Sequence, residues 1–330
     1  MAEATLITYW REVLAGDLLA EQAPLARYTS MRVGGPAEVL AVPTRLSRLL
    51  LLLRSAVQAG VPVTILGGGS NVLIPDEGIQ GLVVVNHCRG MTILEGDPPR
   101  VWAEGGMPLA GLARALVQRG IDGMTWAVSI PGTLGGAVVG NAGAHGGSMA
   151  EVVERVALLY EDGGIENVPV EALCYGYRTS VLKQKRAAGD PFPVVVGAML
   201  ALTRGDMAEL RRQAQAYLRY RRRTQPGEPS VGSIFRNPPG DYAGRLIEAA
   251  GLKGTHVGGA MISPIHANFI VNTGNARTAD VLTLISRVQE RVRKMFGVQL
   301  QPEILVLGEE RVGTRARRRG EGSWGVGSGE

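Results

Sequence analysis

Residues 130–147, Ile-Pro-Gly-Thr-Leu-Gly-Gly-Ala-Val-Val-Gly-Asn-Ala-Gly-Ala-His-Gly-Gly, are too rich in glycine and alanine for side chains to be their purpose. What they offer is backbone: N–H groups can point at an anion, small residues let it approach, and Pro131, just inside an expected helix start, fixes the entry. The same composition also suits a close-packed turn and helix. A second cluster, Gly67, Gly68, Gly69, Ser70 and Asn71, follows the β-branched run Val63-Thr64-Ile65 and reads as a strand emptying into a tight turn with a polar end. Two anion-cradling loops suit two phosphates, or one dinucleotide. Three side chains elsewhere could act. Arg178, flanked by Tyr177 and Thr179, is by type a capping or surface residue, but a fixed guanidinium fork suits a carboxylate or a developing enolate. Ser233, between Gly232 and Ile234, reads as a strand hydroxyl, with no His and Asp arrangement to make it an acylating nucleophile. Glu303, after Pro302, reads as a strand-edge carboxylate.

The elements that must position these groups follow from periodicity and breakers. A leucine-rich helix over 46–59 closed by Gly60, a strand over 63–66, the glycine turn and a buried strand over 81–85 make a small α/β lobe. Before it, 28–37 is a β-like run stopped by Gly34-Gly35-Pro36, and residues 1–24 are a short amphipathic lead-in. From 91 the rhythm becomes α+β: strands over 91–94 and 101–104, a helix over 108–119 closed by Gly120, and a strand over 152–160. One strand (192–202) and one helix (206–223, ended by Thr224-Gln225-Pro226-Gly227) fill the interval between Arg178 and Ser233. Further helices are expected from Ala243 and over 278–296.

Composition bounds the function. A chain of 330 residues suggests two or three domains. Aromatic content of 5% argues against a base-stacking nucleic-acid binder. The net charge of +5 owes much to Arg311, Arg315, Arg317, Arg318 and Arg319, in a basic, Gly/Ser-rich stretch expected to be disordered. Cys88 and Cys174 stand in unrelated contexts, so neither a disulfide framework nor a metal site is expected. No apolar run approaches the ~18 residues of a membrane span and no secretory leader is apparent, so a cytoplasmic protein is expected. Neither G-x-G-x-x-G nor G-x-x-x-x-G-K-[ST] occurs, which removes support for a Rossmann site or a P-loop.

Taken together, Gly67-Gly68-Gly69-Ser70-Asn71-Val72-Leu73-Ile74 and the 130–146 stretch resemble the FAD-binding segments of the UDP-N-acetylenolpyruvoylglucosamine reductase family, within the vanillyl-alcohol-oxidase-type flavoproteins. His145 stands where that family usually has tyrosine. The resemblance continues through Thr29-Ser30-Met31-Arg32-Val33-Gly34-Gly35-Pro36-Ala37, Tyr177-Arg178-Thr179-Ser180 and Gly232-Ser233-Ile234-Phe235-Arg236-Asn237-Pro238. Beyond these come Ala243-Gly244-Arg245-Leu246-Ile247-Glu248, Gly251-Leu252-Lys253-Gly254, Ser263-Pro264-Ile265-His266-Ala267-Asn268-Phe269 and Leu300-Gln301-Pro302-Glu303. It covers roughly residues 28–308.

The resemblance implies a vanillyl-alcohol-oxidase/PCMH-type two-lobed FAD-binding fold, α+β with an α/β first lobe, plus a C-terminal α+β substrate-binding domain. The expected divisions are 25–90, 91–218 and 219–308, with a tail at 309–330. It implies NADPH-dependent, FAD-mediated reduction of the enolpyruvyl group of UDP-N-acetylglucosamine enolpyruvate to UDP-N-acetylmuramate, for peptidoglycan. Non-covalent FAD would contact Arg32, the first loop from Gly67 to Val72, then Pro131, Gly132, Thr133 and Gly136, and finally Asn141, Gly143 and Ala144. The first glycine loop lacks the histidine by which covalent-flavin oxidases of the superfamily often hold their cofactor. Ser233 corresponds to the proton donor, and Arg178 with Glu303 to the pair that stabilises the enol-like intermediate. Asn237 either holds a turn or, as the resemblance implies, meets the nucleotide, and the arginines at 219–223 are either a solvated helix end or include one, with Arg223 as the candidate, that meets the diphosphate. His266 is either a structural hydrogen-bonder or a substrate contact. The interval between Arg178 and Ser233 points to the family's shorter form, without a substrate-capping loop. A monomer acting on NADPH and a sugar nucleotide, without metal or nucleic acid, completes the expectation. An FAD-dependent sugar or alcohol oxidase, and a basic nucleic-acid- or partner-binding protein without cofactor, are the competing readings.

Overall fold

The structure, a computed structural model, describes residues 3–308. The expected tail at 309–330 lies outside the described residues.

The first lobe starts before residue 25. Helix α1 (Glu3–Val13) and strand β1 (Leu18–Pro24) form from the expected lead-in, and β1 pairs antiparallel with β2 (Pro36–Val42) from Leu18↔Val42 to Pro24↔Pro36. Trp10 of α1 is buried and donates from Nε1 to Ser55 Oγ on α2 (Leu46–Gln58) at 2.8 Å. Strands β3 (Val63–Leu66), β4 (Val72–Leu73) and β5 (Ile79–Val85) follow. The sheet order is β1-β2-β5-β3, and β2, β5 and β3 run parallel. Crossovers such as α2 permit that arrangement, and apolar strands covered on both faces suit it. The strand-like run expected over 28–37 is not a strand before Pro36. Thr29 Oγ1 donates to the Val33 carbonyl at 3.0 Å, and Arg32 sits at φ 57, so local side-chain bonding turns the chain instead.

The second lobe contains β6 (Met91–Leu94), β7 (Arg100–Glu104), α3 (Leu109–Val117), β8 (Ile121–Asp122), α4 (Leu134–Gly140), β9 (Gly143–Ala144) and β10 (Gly147–Ser148). It continues with α5 (Met149–Val152), β11 (Val153–Leu159), β12 (Ile165–Pro169), α6 (Val181–Ala187), β13 (Val194–Ala201), β14 (Thr203–Arg204) and α7 (Met207–Thr224). Its antiparallel sheet has the order β12-β11-β13-β7-β6. Alternation along β11 explains how the lobes join: Val156 and Leu158 enter the core beneath α3, whereas Ala157 and Leu159 pack with Leu49, Leu52 and Leu53 of α2. Between Arg178 and Ser233 the expected strand and helix are both present, but α6 and β14 are there as well.

The third region is built from β15 (Ser230–Ser233), α8 (Ala243–Ala249), β16 (His256–Val257), β17 (Ala260–Ile262), β18 (Phe269–Asn272), α9 (Thr278–Phe296) and β19 (Leu305–Val306). Its sheet runs β15-β18-β17-β16. Val281, Leu284, Val288 and Val292 of α9, at helical spacing, share a core with Leu246 and Ile247 of α8. The division expected between 218 and 219 falls inside α7, whose Leu210 and Ala214 belong to the second lobe's core; the helix ends at its C-cap Gln225. Strand β19 leaves the third region and pairs parallel with β4, Leu305 opposite Val72. That return carries Glu303 to the first glycine loop. Among the described residues no helix is long and apolar enough to cross a membrane, and no group of three metal-ligating side chains forms.

Candidate active site

The two glycine-rich segments meet. Residues 67–71 connect β3 to β4, and 130–133 lead into α4, whose N-cap Thr133 accepts from the Gly136 N–H at 3.4 Å. Pro131 is therefore in the loop before the helix rather than inside it, because Thr133 takes the cap and Gly132 requires φ +105. A Cβ on Gly68 would stand 2.7 Å from Gly132 Cα, and one on Gly67 would stand 2.3 Å from Thr133 Oγ1. Gly69 has φ +58, and a Cβ there would meet the Tyr28 carbonyl oxygen at 2.0 Å. The loops thus touch backbone to backbone, with the Ser70 hydroxyl donating to the Pro131 carbonyl at 3.4 Å. They form one wall of a cleft of about 500 Å³, to which Val72, Gly143 and Ala144 also contribute.

The same cleft carries the reactive groups. Gly176 and Thr179 exchange backbone bonds of 3.1 and 3.2 Å, closing a turn that holds Arg178 at φ 57. Asn141, the left-handed C-cap of α4, donates from Nδ2 to the Gly176 carbonyl at 3.0 Å, and Ser180 donates to the Val139 carbonyl at 2.5 Å. Arg178 Nε lies 3.5 Å from Glu303 Oε1, with the carboxylate side chain 17% exposed. The Glu303 N–H donates to the Ile234 carbonyl at 2.8 Å, one residue beyond Ser233. Ser233 ends β15 opposite Phe269. The buried Asn268 then clamps Phe235, two residues beyond Ser233, accepting from its N–H at 2.9 Å and donating to its carbonyl at 2.8 Å. Among the described residues nothing hydrogen-bonds the Ser233 hydroxyl, and Ser233, Arg178 and Glu303 line the same cleft as the glycine loops.

Five expected site residues are placed otherwise. Arg32 is exposed in a left-handed conformation away from the cleft lining. Asn141 braces the Arg178 turn instead of lining the cleft. Asn237 accepts from the Ala243 N–H at 3.1 Å, at the start of α8. The His266 ring packs on Phe269, and its Nδ1 accepts from the Asn268 N–H at 3.2 Å. Arg223 is exposed, and it is Arg221 that lines the cleft, half-buried and donating to the Ser129 carbonyl. Helical spacing could have found it: Arg221 is seven residues past the buried Ala214 and eleven past the buried Leu210, so it shares their face. Burial holds the Arg221 guanidinium below its usual pKa. Lys183 is a second omission; the sequence signal is that a side chain at the third position of a helix leans back over the preceding turn, which here is that of Arg178. His145, at φ 52, stacks on Tyr217 with centroids 4.0 Å apart, and burial first, then Arg221, lowers its pKa.

A wall in which added methyl groups would collide, sharing its cleft with an arginine, a carboxyl and a hydroxyl that no described residue engages, fits a phosphate-bearing cofactor laid beside a substrate that develops negative charge. Comparisons with known proteins agree. Residues 225–307 match the family model for the UDP-N-acetylenolpyruvoylglucosamine reductase C-terminal domain, and residues 37–168 match an FAD binding domain. The chain is 46% identical over 292 residues to the UDP-N-acetylenolpyruvoylglucosamine reductase of Chloroflexus aggregans, covering 88% of this chain and 97% of that one. The enzyme of that name from Bacillus subtilis is 42% identical over 302 residues, covering 91% and 97%. Among solved structures, UDP-N-acetylenolpyruvylglucosamine reductase from Thermus caldophilus superposes with a TM-score of 0.73 at 36% identity, covering 88% of this chain and 98% of that one.

Proposed function

The chain belongs to the UDP-N-acetylenolpyruvoylglucosamine reductase family, and from that premise we propose how its cleft performs the family's reaction. It is an FAD-dependent oxidoreductase that reduces UDP-N-acetylglucosamine enolpyruvate to UDP-N-acetylmuramate with NADPH, supplying a peptidoglycan precursor. The glycine loops are suited to hold FAD: their contact leaves backbone, not side chains, facing the cleft. FAD bound there would supply the hydride chemistry that links NADPH to the terminal carbon of the enolpyruvyl group.

The residues of this chain have the remaining tasks. Hydride at the terminal carbon drives electron density onto the substrate carboxylate. Arg178 offers that charge a cation and Glu303, when protonated, a hydrogen-bond donor. The observation that carries the assignment is their pairing at 3.5 Å across a turn from the second lobe and a segment from the third region. Ser233, with its hydroxyl unengaged, delivers the proton to the carbon bearing the carboxylate. A serine is a weak acid, so it acts within hydrogen-bond reach of that carbon and regains its proton from a neighbour or solvent. Arg221, on the same cleft, is the candidate partner of the diphosphate.

Residues from 225 onward then serve as the substrate-binding part. The expectation of the shorter family form is supported by compact connections between Arg178 and Ser233, the longest described one spanning 188–193. We take the working enzyme to be a cytoplasmic monomer acting on small molecules without nucleic acid; light scattering on the purified protein checks the first part and salt-dependent RNA binding the last. Anaerobic visible spectroscopy tests the function. NADPH should bleach a flavin band, and the band should return only on addition of the enolpyruvyl sugar nucleotide. A band that returns only in air would favour an oxidase, and a protein that cannot be reconstituted with FAD would overturn the assignment.

A further inference from the structure

Lys183 has no part in the reaction as derived above, yet it occupies the junction of the site. Its Nζ donates to the carbonyl of Arg178 and to the carbonyl of Glu303, each at 3.2 Å. These residues are 125 positions apart in the chain, and no other described side chain bonds the backbones of both. The Glu303 carbonyl also accepts from Asn71 Nδ2 at 3.3 Å, so the first glycine loop, the second lobe and the third region converge on one peptide. Lys183 itself lines the cleft.

Even a half-buried ammonium is costly unless its donors are matched and a counter-charge is near. Here two carbonyls take two of its three protons, and the Glu303 carboxyl lies among the surrounding charges. The Arg178 and Arg236 guanidinia are the other charges facing it, and both oppose its protonation. A lysine within the field of two arginines is poor design for stability alone. What it achieves is geometric: the Arg178 peptide is in a left-handed turn, and a donor on its carbonyl resists relaxation of that turn.

We propose that Lys183 is a positioning residue that locks the backbones of Arg178 and Glu303 together, so that their side chains are preorganised for the charge that develops during substrate reduction. This rests on the roles given above to Arg178 and Glu303. It separates the two half-reactions, because flavin reduction by NADPH places no charge on a substrate carboxylate whereas reduction of the enolpyruvyl group does.

The test uses the FAD-loaded protein with Lys183→Met and Lys183→Arg, followed by stopped-flow absorbance for each half-reaction, together with thermal midpoint and bound-flavin content. Lys183→Met keeps the length and removes the donors. It should retain FAD and be reduced by NADPH within about threefold of the unaltered rate, while reoxidation by saturating enolpyruvyl sugar nucleotide slows by about 10²-fold, the scale of a lost preorganised contact. Lys183→Arg should recover at least part of that loss. Reoxidation within threefold in Lys183→Met, or equal loss of both half-reactions with flavin, would overturn the proposal. Should Lys183→Met not fold, Lys183→Gln, whose shorter side chain cannot span both carbonyls, takes its place, and reoxidation within threefold there would overturn the proposal. If the unaltered protein failed to reoxidise with the sugar nucleotide, the functional assignment would fall instead.

Discussion

Ser233 and Arg178 illustrate how a residue acquires a role from its neighbours. The serine is an ordinary strand hydroxyl until the Glu303 N–H bonds the carbonyl of the following residue, Ile234, Asn268 fixes Phe235 one position further on, and nothing described engages its oxygen. Substituting Ser233→Ala should leave FAD binding and NADPH-driven bleaching unchanged and slow reoxidation by the enolpyruvyl substrate by about 10²–10⁴-fold, the usual worth of a positioned acid. Rapid-mixing absorbance would detect it, and unchanged reoxidation would remove Ser233 from the mechanism. Side-chain identity made Arg178, Ser233 and Glu303 visible in the sequence only through a family pattern, since each alone suits a bland surface or strand position. Arg221 and Lys183 were legible by a different route, the helical period, which places Arg221 on the face of Ala214 and Lys183 back over the Arg178 turn. Arg223 was chosen where that period pointed to Arg221.

Among the elements, the glycine loops and the β15–β18 pair carry the greatest constraint. At Gly68 a methyl group would meet the Cα of Gly132 at 2.7 Å, and neither backbone can yield without opening the cleft wall. Gly68→Ala should therefore destabilise by about 1–3 kcal/mol, as overpacking does, and the purified protein should carry less flavin; equal bound-flavin absorbance at an unchanged melting temperature would show that the loops are not in contact. Asn268→Ala should cost at least about 2 kcal/mol, because it strands the N–H and carbonyl of the buried Phe235. Urea unfolding would measure it. Regular elements were easy to read where a periodic apolar run ends in a breaker, as in α2 before Gly60, α3 before Gly120 and α9 before Gly297, each of those glycines having φ between 65 and 69°. The run after Tyr28 misled because Thr29 and Arg32 satisfy the backbone locally, a choice that strand propensity does not register. Strand β1 was missed because its residues, Leu-Leu-Ala-Glu-Gln-Ala-Pro, lack both β-branching and clean alternation; its partner β2 holds it.

Across the whole molecule the chain is tied together by long-range returns, none of which local sequence signals could announce: β19 onto β4, Asn272 Nδ2 onto the Met31 carbonyl at 3.0 Å, and Asp76 accepting from the N–H of Thr278 at 2.9 Å and of Ala279 at 3.1 Å. Because such ties couple the lobes, a titration in any one of them bears on global stability. Each lobe has one histidine whose pKa is lowered, in every case first by burial: His87, with Arg89 also opposing its charge; His145, with Arg221; and His266, with Lys253 opposing and Glu248 favouring protonation. The sign follows directly. As pH falls below the unfolded value of about 6.5, the unfolded chain takes up protons that the folded one resists, so stability declines through the window between 6.5 and the lower folded values. For His266 protonation also removes the acceptor of the Asn268 N–H, and Asn268 is the clamp on the Ser233 strand. Unfolding measured from pH 7.5 down to 5.5, above the range in which carboxylates such as Asp17 titrate, should show a steady loss of stability and a shallower loss in His266→Gln. A flat profile over that range would mean that these rings are as free to protonate in the fold as in the unfolded chain.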